Sequence, residues 1–112
     1  MDKDVSNLIE RLELFEERLG VRLESLSATI TGYATVYVRV MGELHVHEGM
    51  KLKQSTQLVA VIYDDSGRVI ANVDNVYFKE KFYGFEVFQL IFNLGDPPPP
   101  NMAKIRIYPK EF

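Results

Sequence analysis

The sequence predicts a mainly β fold, an antiparallel immunoglobulin-like β-sandwich of about six or seven strands preceded by one N-terminal amphipathic helix. Three observations carry this. Residues 33–47 hold a strict period of two; the segments after them are β-prone runs separated by turn residues; and the residues before them repeat with a helical period instead. The expected organisation is a helix over residues 1–26, serving oligomerisation, and a sandwich domain over residues 27–112.

In the helical segment, Val5, Leu8, Leu12, Phe15, Leu19 and Leu26 fall on the a and d positions of a heptad, and Ile9 and Leu23 widen the stripe. No acidic side chain lies three or four places from a basic one, and Glu13 repels Glu17. Such a helix lacks local support and needs a surface to lie on. The seam therefore predicts a homo-oligomer, with a dimer favoured. Gly20 is unfavourable inside a helix and marks a potential exit, leaving residues 21–26 as a looser last turn.

The run at 33–47 then places Val36, Val38, Val40, Leu44 and Val46 on one face, with Tyr33, Tyr37, Arg39, Met41, Glu43, His45 and His47 on the other. The phase survives Gly42, which predicts one long strand with a bulge or bend there. Residues 48–55 read as a crossing loop. Residues 57–64 are apolar on both faces, as in a central strand, and Asp64, Asp65, Ser66 and Gly67 turn the chain into a hairpin. Further strands are expected at 76–78, at 82–92 with Phe88, Leu90 and Phe92 inward, and at 103–108 with Ile105 and Ile107 inward. The four prolines at 97–100 predict a stiff extended connection. The predicted core is Val36, Val38, Val40, Leu44, Leu58, Ala60, Ile62, Phe88, Leu90 and Ile105.

Ile62, Tyr63 and Asp64, followed by Ser66, Gly67, Arg68, Val69 and Ile70, resemble the signature of FxLYD-type domains, immunoglobulin-like bacterial modules in which a strand ends in Leu-Tyr-Asp before a turn and a second strand. Gly84, Phe85, Glu86, Val87 and Phe88 would match their later aromatic strand. Ala60 stands where the eponymous Phe would be, and Ile62 replaces Leu. The resemblance implies a sandwich module across roughly residues 30–108 with a binding role.

Composition excludes several chemistries. The chain of 112 residues contains no cysteine, so disulfides, thiolate catalysis and zinc-thiolate sites are out, and a reducing cytoplasm is compatible. Neither a signal peptide nor a membrane span is expected. Residues 1–26 carry four basic and seven acidic side chains and residues 27–112 nine of each, so no basic field for nucleic acid exists.

Among specific sites, His45 and His47 project from one strand face with Glu43, a set suited to a transition metal. Two solvated histidines are the blander explanation. Asp64, Asp65, Asp74 and Asp96 would suit calcium if gathered, though turn formation already accounts for the first two. No nucleophile-base pair can be named, so an enzyme is not expected and no cofactor is implied. The primary expectation is a non-enzymatic protein-interaction module, with Tyr33, Tyr37 and Met41 as partner surface. The alternative is a small-molecule or metal-binding sandwich using the same face.

Overall fold

The alternation at residues 33–47 becomes a strand over Val36–Val46, flanked on both sides as its one buried face requires. The structure is a computed structural model that describes residues 2–32, 35–95 and 101–112. In chain order its elements are β1 (Asp2–Asp4), a 3-10 turn at Ser6–Leu8, β2 (Ile9–Arg11), α1 (Glu13–Leu19), β3 (Val21–Gly32), β4 (Val36–Val46), β5 (Thr56–Asp64), β6 (Val69–Tyr77), β7 (Phe85–Gly95) and β8 (Met102–Glu111). They form two four-stranded sheets. Sheet A has the order β1-β3-β4-β7 and is antiparallel throughout; sheet B has the order β2-β8-β5-β6, with β2 parallel to β8.

The core lies between the sheets. Val38, Val40 and Leu44 of sheet A and Leu58, Ala60, Ile62, Ile105 and Ile107 of sheet B have no exposed surface. Phe88 and Leu90 are buried with them, and Val36 packs at the margin. The core thus follows the predicted list closely. β5 is central in its sheet, as its two-sided apolar character requires. Asp64 shapes the turn into β6, its Oδ1 accepting hydrogen bonds from the Ser66 and Arg68 amides at 2.9 Å.

The amino-terminal segment departs from the prediction. The helix expected over residues 1–26 is confined to Glu13–Leu19, the remainder supplies strands to both sheets, and the boundary placed between 26 and 27 falls inside β3. The heptad residues are dispersed accordingly. Val5 and Leu19 are buried in the core, Leu8 lies in the 3-10 turn, Leu12 precedes α1, Phe15 sits edge-on to Tyr108 and Leu26 packs from β3. No continuous seam remains. The physical reason is a competing period: Val21 and Leu23 point inward while Arg22 and Glu24 point outward, and the ladder to β4 satisfies backbone groups that a weakly supported helix would hold less well. Helix persists where acidic Glu13 and Glu16 open the first turn and Arg18 closes the last, each favourable to the helix dipole. Gly20, at φ 70°, ends it in the left-handed conformation.

One polar clasp holds this crossing. Arg11, leaving sheet B, grips Glu16 of α1 through Nη2 to Oε1 at 2.6 Å and Nε to Oε2 at 3.1 Å. Glu16, only 3% exposed, also accepts the Leu23 amide of sheet A at 2.9 Å, while Arg11 donates to the Leu23 carbonyl. The neighbouring carboxylate keeps the Arg11 guanidinium firmly protonated.

The irregularity expected at Gly42 lies instead on the opposing strand. β4 and β7 stay in register at Gly42, while β3 bulges between Glu24 and Ser27 with Ser25 at φ 57°. The bulge drives Leu26 over Gly42, where an added Cβ would lie 2.8 Å from both Leu26 and Phe88. Gly42→Ala is therefore expected to lower unfolding free energy by about 1–3 kcal/mol, read by urea denaturation. Glu16→Ala strands both Arg11 and the Leu23 amide and should cost about 2–4 kcal/mol, with Glu16→Gln, which keeps an acceptor, costing less. Equal losses from the two Glu16 variants would mean that the charge pairing contributes nothing.

Candidate functional site

The outward positions of β4 and β7 share one face of sheet A, and the register sets them side by side. Tyr37 lies opposite Asn93, Arg39 opposite Ile91, Met41 opposite Gln89, Glu43 opposite Val87 and His45 opposite Phe85. Because β-strands alternate, burying Phe88, Leu90 and Phe92 forces Phe85, Val87 and Ile91 outward. These are respectively 51%, 66% and 46% exposed. With Tyr37 and Met41 they make an apolar strip that no element of the described chain covers.

The strip ends in a polar corner. The His45 ring stacks on Phe85 with centroids 4.9 Å apart and planes 7° from parallel. Its Nε2 lies 2.9 Å from Glu43 Oε1 and 3.3 Å from Glu24 Oε2, and Arg22 Nε donates to Glu24 at 2.9 Å. The Arg22 contact holds the Glu24 carboxyl below its ordinary range, with a smaller contribution from His45. The arrangement fixes the imidazole between two carboxylates against a ring. Glu24 joins because β3 neighbours β4.

The opposite outer face is different in kind. On sheet B, Glu10 of β2 accepts from Arg106 Nε of β8 at 2.7 Å and lies 3.4 Å from Lys104, while Arg106 rests over the Tyr63 ring at 5.1 Å. Asp74 and Gln57 bond at 2.7 Å on the same sheet. Phe15 of α1, with Arg18 over its ring, packs against Tyr108. One face is crossed by ion pairs and partly covered; the other carries an open apolar strip that ends in the ion-paired corner at His45.

Tyr37 and Met41 lie together on the strip, whereas Tyr33 falls outside the described residues. Of the metal set, Glu43 meets His45, but exposed His47 stands past the end of β4, where its amide bonds to the Gly20 carbonyl. Among the described residues no group of three or more histidine, aspartate or glutamate side chains is placed to hold a metal ion. Of the aspartates considered for calcium, Asp64 is used in its turn and Asp74 bonds to Gln57, while Asp65 is exposed beside the turn. Asp96 and the prolines at 97–100 lie outside the described residues. Sequence reading missed Phe85, Val87 and Ile91, although the alternation that placed Phe88 inward already implied them. It also missed Glu24, because residues 21–26 read as helix.

No family model matches the chain, and no curated protein matches it. No helix among the described residues is long and apolar enough to cross a membrane.

The sheet B cluster yields a pH dependence. The Arg106 hydrogen bond holds Glu10 below the ordinary glutamate value of 4.5. A depressed carboxyl adds stability above its unfolded pKa, and that stability is lost as pH falls through the folded pKa. Glu10→Gln should therefore flatten the decline of the melting temperature between about pH 5 and pH 3, relative to the wild type. Parallel curves for the two proteins would mean the ion pair does not couple β2 to β8.

Proposed function

We propose that the chain is a non-enzymatic protein-interaction module, immunoglobulin-like in architecture, that uses the outer face of sheet A and self-associates. The observation that carries the reading is the uncovered strip of Tyr37, Met41, Phe85, Val87 and Ile91, set against a polar, ion-paired face on the other sheet. The face offers rings and aliphatic groups in place of reactive chemistry. Its imidazole has carboxylates, not a hydroxyl, at Nε2, so it lacks the nucleophile that acyl-transfer chemistry would need.

Immunoglobulin-like applies to the architecture of two facing sheets around one core. The connectivity runs by hairpins within each sheet, β3 to β4 in sheet A and β5 to β6 in sheet B. The stretch Ile62 to Ile70, on which the FxLYD resemblance rests, forms the β5–β6 hairpin.

An apolar dye tests the face. Wild-type protein should enhance bis-ANS fluorescence, and Tyr37→Ser combined with Met41→Lys should remove most of that signal while the far-ultraviolet circular dichroism is unchanged. Undiminished fluorescence from a folded double variant would reject this face as the partner surface.

A further inference from the structure

The four outer strands of the two sheets are treated very differently. An unpaired edge strand displays free backbone donors and acceptors, and chains guard against pairing there with short strands, charges or coverage. β1 is three residues long, and Asp2, Lys3 and Asp4 are all charged and exposed. β2 is also three residues long, and its Glu10 is bound to Arg106. β6 is longer, but Asp74 interrupts its exposed positions. β7 is guarded only near its start, by exposed Glu86 on the parity of Phe88. It is eleven residues long, pairs among the described residues with β4 alone, and turns Phe85, Val87, Gln89, Ile91 and Asn93 outward without a charge or a proline.

We propose that the occupant of this edge is a second copy of the chain, added antiparallel β7 to β7 about a two-fold axis through Gln89. This inference rests on the reading of sheet A as the interaction side. Strand parity demands that outward residues meet outward residues. An axis at Gln89 sets Val87 opposite the second copy's Ile91, and Ile91 opposite its Val87, so that two apolar cross-strand pairs flank a central pair of glutamine amides. Phe85 then faces the second copy's Asn93. No like charges meet anywhere on the outer side of this pairing, which is the electrostatic condition that self-association about a two-fold imposes. The product is one continuous eight-stranded sheet, and it joins the two apolar strips into a single surface of double width. A partner of the proposed module would dock on that joined surface, with the dimer as the binding unit.

Sedimentation velocity on the full chain at tens of micromolar tests this. Wild type should be a dimer. Gln89→Lys and Gln89→Glu each place like charges face to face on the axis, and each should weaken association about tenfold or more. Mixing the two variants should restore the dimer, because Lys and Glu then meet across the axis. Gln89 is exposed, so both variants should keep the wild-type circular dichroism. Should either fail to fold, Gln89→Cys in the cysteine-free chain supplies a second measurement: mild oxidation should give a covalent dimer, and Tyr37→Cys, with two strands between it and its symmetry mate, should not. A monomeric wild type overturns the inference and leaves the dye-binding face standing. A dimer that survives both Gln89 variants, or variants that stay monomeric when mixed, also overturns it and moves any association to another surface.

Discussion

The junction of Arg11, Glu16 and the Leu23 backbone is the constraint on which the architecture turns. Between residues 11 and 23 the chain must leave one sheet, reverse and enter the other, and the seven-residue helix that does this is too short to be stable alone. The bidentate pair fixes its orientation. A carboxylate buried to this degree is costly unless every lone-pair direction is used, and Glu16 meets the condition with a guanidinium fork and a main-chain amide. The same guanidinium caps a carbonyl of β3, so one side chain anchors strand, helix and strand. Leu19 and Leu23 can then enter the core on either side of Gly20.

This crossing has a consequence for both outer faces. α1 leans Phe15 on Tyr108 of sheet B, so the apolar cover the chain possesses goes to the sheet whose exterior is already laced with Glu10, Lys104 and Arg106. Sheet A keeps its exterior bare. The bulge in β3 serves the inner face instead, drawing Leu26 onto Gly42 beside buried Phe88.

Much of the sheet structure was legible because β-alternation is a local signal. Val38, Val40 and Leu44 declare their face by spacing alone, the unbroken apolar run from Leu58 to Tyr63 declares a central strand, and the Asp64 to Gly67 turn declares the hairpin between β5 and β6. Residues 5–26 were illegible for a definite reason. Val5, Leu8, Leu12, Phe15 and Leu19 match a heptad by coincidence of short elements, and nothing local reveals that Arg11 and Glu16, five apart, pair across a change of structure. Of the site, Tyr37 and Met41 were read correctly as outward. Glu24 depended on knowing that β3 is a strand at all, and the pairing of His45 with Phe85 depended on a register between segments forty residues apart.

The parallel pairing of β2 with β8 joins Ile9, Glu10 and Arg11 to Ile105, Arg106 and Ile107. β8 also separates β2 from β5, so sheet B has no middle until residues 102–111 are in place. Sheet A needs no such wait, since β3 and β4 are consecutive. On a ribosome the two halves of the sandwich would therefore mature at different times: a hairpin of sheet A forms early, with its inner face open, and waits for a strand nearly a hundred residues downstream of β2. Throughout that interval Leu58, Ala60 and Ile62 lack the neighbours that Ile105 and Ile107 later provide, so their apolar side chains stay open to water until residues 102–111 are available.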